Sequence, residues 1–150
     1  MTQSPHIKLE FTSDPKYLCG VRELVASIAD RMGFSDESCG QIKLAVDEAL
    51  CNVVRHGYDR DVTKPIWLTL TPVADNGTIE GIRIVIEDEA KQIDPDKIKG
   101  RDLDEIRPGG LGVHIIREIM DEVVYEKRNP VGMRLTLVKS RNSDAMAPTQ

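Results

Sequence analysis

Aromatic side chains are scarce in this 150-residue chain, at 4% with one Trp, three Tyr and two Phe, so Ile, Leu, Val and Ala have to fill its interior. Cysteine is scarce too. Cys19, Cys39 and Cys51 are odd in number and form no Cys-x-x-Cys pair, which gives no basis for a disulfide framework or a zinc site and predicts reduced, mostly buried thiols. There is no excess of positive charge: 20 Lys and Arg face 25 Asp and Glu, for a net charge of -5. No basic run interleaved with aromatics occurs, so direct contact with nucleic acid is not expected. The chain also lacks any apolar stretch near the roughly 20 residues that span a bilayer, and Met1 to Phe11 has no apolar segment behind a basic one. No membrane role is expected, and the expected compartment is the cytoplasm.

What remains is the composition of one globular domain, 40% hydrophobic and 30% charged, over a length that fits a single core. The expected domain covers residues 1–140, with a flexible tail over 141–150. His6 to Phe11 alternates Ile7, Leu9 and Phe11 with polar neighbours, the pattern of a half-buried strand. Asp14 offers an N-cap before Pro15, and Leu18, Val21, Val25, Ile28 and Ala29 follow at mostly helical spacing up to Gly33. Ser35, with Asp36 and Glu37 behind it, opens a second helix whose Ile42, Ala45, Val46, Ala49, Leu50, Val53 and Val54 keep three-and-four spacing until Gly57.

Two strands, Ile66 to Val73 and Ile79 to Asp88, flank a hairpin signal at Asn76-Gly77. In the second of them Ile82, Ile84 and Ile86 share one face, and Asp88 follows on that same face. Glu89 to Gly110 has little periodicity and predicts a long loop with one short helical turn. A helix marked by Leu111, Ile115, Ile116 and Ile119 begins right behind Gly109-Gly110, and strands Glu122 to Lys127 and Gly132 to Lys139 follow. This order is not the strict alternation of a doubly wound sheet. It predicts an α/β two-layer sandwich (α+β in composition), with the helices gathered on one face of a mixed, largely antiparallel sheet.

Three groups of residues have a chemical use. On the second helix Glu48 and Asn52 are four residues apart and Arg55 is seven from Glu48, so all three project from one face. Asn offers a carbonyl oxygen to a hard cation such as magnesium and Glu offers a base, although the same spacing also describes a solvated helix face. Asp88 can accept a hydrogen bond from an exocyclic amine such as that of adenine, and a strand-ending Asp is also an ordinary turn residue. Gly109, Gly110 and Gly112 let backbone approach an anion at a helix N-terminus, or simply start a helix. They are not a Walker loop, since no Gly-Lys-Ser/Thr follows, nor a dinucleotide fingerprint, since no strand immediately precedes them.

Taken in this order, the motifs resemble the GHKL ATPase family. Asp47-Glu48-Ala49-Leu50-Cys51-Asn52 with His56-Gly57-Tyr58 is similar to its N box, Glu87-Asp88-Glu89 with Ile93-Asp94-Pro95 to its first glycine box, and Gly109-Gly110-Leu111-Gly112 to its second. The run from Ile115 to Met120-Asp121-Glu122 resembles the branch of anti-sigma-factor serine kinases of the RsbW type. The resemblance extends from about residue 6 to residue 140 and implies the Bergerat fold, with ATP and Mg2+ as cofactors. It further implies that Asn52 binds the metal, that Glu48 is the general base, that Asp88 reads adenine and that Arg107 is a lid arginine near the terminal phosphate. Arg55, Ala90, Gly109, Gly110, Leu111 and Gly112 are then nucleotide-binding positions. The implied partners are a sigma factor and an anti-anti-sigma factor of STAS type, whose Ser or Thr takes the phosphoryl group, and the implied assembly is a homodimer.

In two places the chain departs from the family pattern. Ala90 stands where Asp-x-Gly usually continues the first glycine box, and is strained if that turn needs positive φ. Met133 follows Gly132 where a Thr is usual, which removes a hydroxyl beside Asp88. Against the kinase these departures set two alternatives: a protein-binding module that has lost catalysis, and a sensor that binds nucleotide without transferring phosphate.

Overall fold

The computed structural model describes residues 4–98 and 111–141. The elements follow as β1 (Ile7–Thr12), α1 (Pro15–Arg31), α2 (Asp36–Asn52), one π-helical turn (Val53–Gly57), β2 (Pro65–Asp75), β3 (Thr78–Asp88), a 3-10 turn (Pro95–Lys97), α3 (Gly112–Ile119), β4 (Glu122–Lys127) and β5 (Met133–Ser140). The five strands form one sheet in the order β1-β2-β3-β5-β4. Every ladder in it is antiparallel, so the two-layer fold has the largely antiparallel sheet expected from sequence, with no parallel pair among the described residues. The reason lies in the last strand: β5 inserts between β3 and β4 and runs opposite to both, so the crossover through α3 never brings β3 and β4 into contact.

Local chemistry sets the ends of the elements. Asp14 caps α1 by accepting from the Lys16 N–H at 3.1 Å, with Pro15 in the first turn, and Ser35 caps α2 by accepting from the Ser38 N–H at 3.1 Å. Asn76 and Gly77, at φ 50° and 80°, make the two-residue turn between β2 and β3, the doubly positive geometry that suits a hairpin's twist. The strands run closer to this turn than the sequence pattern predicts, because a register shift between Val73 and Ala74 keeps them paired to Asp75 and Thr78.

One deviation matters for the site. Three-and-four spacing predicts α-helix as far as Gly57, but the α geometry stops at Asn52 and the final turn is π-helical, with the Tyr58 N–H reaching the Val53 carbonyl at 2.8 Å. The widened turn brings Tyr58 inside. Its hydroxyl donates to the Pro65 carbonyl at 2.6 Å and accepts from the Glu89 N–H at 2.7 Å, which ties α2, the start of β2 and the end of β3 to one side chain.

The core lies between the helices and one face of the sheet. Val25 and Ala29 of α1, Ile42, Val46 and Leu50 of α2 and Ile116 of α3 meet Ile66, Leu68, Leu70, Ile82, Ile84, Ile86 and Leu137, all at 2% exposure or less. Full burial of one such aliphatic side chain contributes roughly 1.5–3 kcal/mol, so the three isoleucines of β3 alone weigh as much as a typical domain's net stability of about 5–15 kcal/mol. Across the helical layer, Arg22 pairs with Asp47 at 2.7 Å and Lys43 with Glu23 at 2.6 Å, linking α1 to α2. The thiols are free but not mostly buried: Cys39 is buried, Cys51 intermediate and Cys19 exposed, because Cys19 falls on the outer side of α1.

Glycine is required at the entry to β5. Gly132 has φ 90°, and a Cβ there would overlap the Asp88 carbonyl oxygen, whereas Gly77, at φ 80°, has open space around the same position. We predict that Gly77→Ala costs about 1–2 kcal/mol, the penalty of left-handed backbone alone, while Gly132→Ala costs ~3 kcal/mol or more. Urea unfolding of the two variants measures the difference, and equal costs would show that the close approach of Gly132 to β3 is immaterial.

Candidate functional site

The side chains at 49, 52, 53, 56 and 57 recur at helical spacing along the end of α2 and its π turn, and Ala49, Asn52, Val53, His56 and Gly57 together form one wall of a cavity of about 310 Å³. Ile86 and Asp88 of β3 with Met133 and Leu135 of β5 supply the sheet side, Tyr125 of β4 extends it, and Gly112 and Val113 of α3 supply one end. The segment after β3 adds Ala90, Lys91, Ile93, Lys97 and Ile98. This is the size and make-up of a small-molecule site, mostly apolar with few polar groups.

Asp88 is the carboxylate on the sheet side, and it is only 6% exposed. The N–H groups of Ala90, at 2.9 Å, and Met133, at 3.1 Å, both donate to its Oδ1, which leaves Oδ2 as an acceptor for a guest in the cavity that Asp88 lines. Burial raises the Asp88 pKa above the usual carboxylate value, opposed by those two backbone N–H groups and then by Arg128. Arg128 braces the turn from behind. It donates to the Asp88 carbonyl at 2.6 Å, pairs with Glu87 at 2.7 Å and stands 4.8 Å from the centre of the Trp67 ring.

At the opposite end, α2 and α3 meet through a glycine. A Cβ on Gly112 would stand 2.7 Å from Glu48 Oε2, with the Asn52 side-chain amide at 3.5–3.6 Å, so only a hydrogen atom lets the start of α3 approach that pair. Leu111, the N-cap of α3, supplies no side-chain bond to the first N–H groups of the helix, which are left open to an anion. Among the described residues neither the Glu48 carboxylate nor the Asn52 amide has a hydrogen-bond or ion-pair partner, although both are half-buried. An unpaired acid, an unpaired amide oxygen and a helix N-terminus thus converge beside a cavity that also holds a buried acceptor.

The sequence profile of the histidine kinase-like ATPase domain matches residues 11–139 of this chain. The chain belongs to that ATPase family. Similar proteins within it include serine-protein kinases RsbW. That of Oceanobacillus iheyensis is 29% identical over 147 residues, covering 93% of this chain and 89% of the relative. That of Listeria monocytogenes serotype 4b is 32% identical over 130 residues, covering 81% and 80%, and that of Bacillus subtilis 26% over 140 residues, covering 87% and 84%. A crystal structure of the RsbU and RsbW domains of Rv1364c from Mycobacterium tuberculosis shares the fold, with a TM-score of 0.61 at 18% identity over 91% of this chain and 32% of that one.

The two departures of this ATPase-family member from its family pattern have structural answers. Ala90 is not among the non-glycine residues at positive φ, which are Asp59, Arg60 and Asn76 among the described residues, so no strain arises there. Its methyl group packs where Gly57 leaves room, since a Cβ on Gly57 would stand 3.0 Å from the Ala90 Cβ. At Met133 it is the backbone N–H, not a side-chain hydroxyl, that holds Asp88.

The sequence-derived residues do not all come together. Asn52, Asp88, Ala90 and Gly112 line the cavity, and Glu48 abuts it through Gly112. Arg55 is exposed on the far side of the π turn and Leu111 is 38% exposed beside the α3 start, and neither lines the cavity. Arg107, Gly109 and Gly110 lie outside the described residues. His56, which the sequence gives only as part of the N-box resemblance, lies in the turn that ends the helix and joins Ala49, Asn52 and Val53 in the cavity wall. Sequence reasoning assigned nothing to Tyr125 or Arg128, because strand alternation shows which face a residue takes but not which cavity it reaches.

Asp88 yields a test with a definite sign. Its folded-state pKa is raised, so its contribution to stability is full below the ordinary value near 3.8 and is lost as pH rises through the folded value. Asp88→Asn keeps an Oδ1 for both N–H groups and carries no charge. At pH 7 without ligand the variant is expected to be at least as stable as the parent. That advantage should shrink as pH falls through the raised value, as read by urea midpoints across a pH series. A variant less stable than the parent at pH 7 would mean that the charge itself holds the turn.

Proposed function

We propose that this chain is an ATP-dependent protein serine kinase that also sequesters a sigma factor, with an anti-anti-sigma factor of STAS type as its phosphoacceptor. The observation that carries the reading is the unpaired Glu48 and Asn52 pair against Gly112, at the end of a cavity whose other end is the half-satisfied Asp88. The RsbW serine-protein kinases similar over most of the chain support it. A homodimer, which the motif resemblance implies, and a cytoplasmic location are part of the same proposal. No helix of the described residues is long and apolar enough to cross a membrane.

The roles follow from the donor set. Asp88 Oδ2 takes the hydrogen bond of the exocyclic amine of adenine, which a guanine, with a carbonyl there, cannot donate. The N–H groups at the start of α3 hold phosphate oxygens, a role that the motif resemblance extends to Gly109 and Gly110. The Asn52 oxygen and phosphate oxygens are a fitting donor set for Mg2+, which neutralises charge on the transferring group when bound. Glu48 accepts the proton of the partner's Ser or Thr hydroxyl as that oxygen bonds to the terminal phosphorus and the bond to the departing diphosphate breaks. The motif resemblance, and not the cavity, assigns Arg107 to the charge of the terminal phosphate and Arg55 to nucleotide binding.

Two substitutions test this assignment. Glu48→Gln keeps size and reach but cannot take the proton, so phosphate transfer should fall by about 10²–10⁴-fold while ATP affinity stays near that of the parent. Radiolabelled transfer to the cognate anti-anti-sigma factor, run beside a nucleotide titration, reads both, and undiminished transfer removes Glu48 as the base. Asn52→Ala should abolish the magnesium dependence of ATP binding. Calorimetry with and without magnesium that shows the parent's dependence in the variant would take Asn52 out of the site.

A further inference from the structure

Tyr125 is the only hydroxyl-bearing side chain in the cavity wall among the described residues, and its hydroxyl has no hydrogen-bond partner among them. Its ring is fixed from two sides. Across the ladder it faces Leu135, itself in the wall, and the Arg117 guanidinium of α3 stands 5.7 Å from the ring centre. The residue is half-buried, and burial raises its pKa, so at neutral pH the phenol keeps its proton and can both donate and accept.

Its place in the sheet says which part of a nucleotide it meets. Asp88 and Tyr125 both line the cavity, and β5 lies between their strands, so they are separated by about 10 Å across the sheet. That is a span which a base with its sugar bridges and a single ring does not. Arg117 is five residues beyond Gly112 along α3, so Tyr125 lies under the later part of that helix, away from the N-terminal N–H groups. The guest atoms near Tyr125 are therefore those of the nucleoside and not those of the terminal phosphate.

We propose that Tyr125 is a second polar recognition residue of the cavity, its hydroxyl hydrogen-bonding the nucleoside half of the bound nucleotide while Asp88 holds the amine edge of the base. This rests on the nucleotide-binding reading above and adds to it a specificity residue that the motifs do not contain. The apolar wall formed by Val53, Ile86, Met133 and Leu135 offers the guest only contact area. A positioned hydroxyl rewards one orientation within it.

Tyr125→Phe keeps the ring, the Leu135 contact and the Arg117 stacking, and deletes only the hydroxyl. In calorimetric titrations of the full chain, the dissociation constants for ATP and ADP should rise together by about three- to tenfold, the worth of one ordinary hydrogen bond, with the unliganded melting temperature unchanged. A variant that binds both nucleotides as tightly as the parent overturns the proposal. A loss confined to ATP assigns the hydroxyl to the phosphates and overturns it too, as does a fall in unliganded stability, which would make the hydroxyl a structural group. A parent that binds neither nucleotide defeats the nucleotide reading as a whole, a result distinct from a parent that binds and a variant that binds equally well.

Discussion

Two backbone N–H groups converge on one oxygen of Asp88, one from two residues further along the chain and one from 45 residues away at the start of β5. That convergence fixes how β3, β5 and the turn between Asp88 and Ala90 sit relative to each other, and the cavity takes its shape from them. It also explains the surrounding demands. Gly132 has to lack a side chain because β5 enters directly against the Asp88 carbonyl, and Arg128 has to reach back to that same carbonyl because the turn is otherwise held from one side only. A carboxylate taken out of water needs such bonds, since an unsupported buried charge is expensive. Leaving the second oxygen unmet inside a cavity is then a standing invitation to a hydrogen-bond donor.

The other end of the cavity is organised by an absence of bonds. On the helices Arg22 pairs with Asp47 and Lys43 with Glu23, yet Glu48, one residue after Asp47, has no hydrogen-bond or ion-pair partner among the described residues. Its carboxylate therefore stands beside the start of α3 with its oxygens unspent. Gly112 maintains this by letting α3 approach so closely that no side chain intervenes.

Much of this was legible in the amino-acid order. The caps at Asp14 and Ser35, the Asn76-Gly77 turn and the isoleucines leading to Asp88 are short-range signals, each written within a few residues, and the structure has them where the pattern puts them. Signals that need two distant segments were not legible. The π turn at Val53–Gly57 exists because Tyr58 has to reach both Pro65 and the Glu89 N–H, and nothing within the helix announces that. The antiparallel course of β5 between β3 and β4 could not be separated from a mixed sheet, since alternation gives a strand's faces and not its neighbours. Ala90 and Met133 looked like losses because only side chains are visible in a sequence, while the contacts they make to Asp88 come from the backbone.

The insertion of β5 between two earlier neighbours also sets an order of events during synthesis. Ribosomes release a chain from its N-terminus at about 5–20 residues per second, so α1, α2 and the β1-β2-β3 meander are out well before Met133 emerges. Until then Asp88 lacks its long-range N–H, Leu135 is missing from the wall and the edge of β3 is open to other strands. The wall of the cavity is thus complete only once β5 has been made, and the ability to take up a small molecule waits for one of the last elements of the fold to emerge.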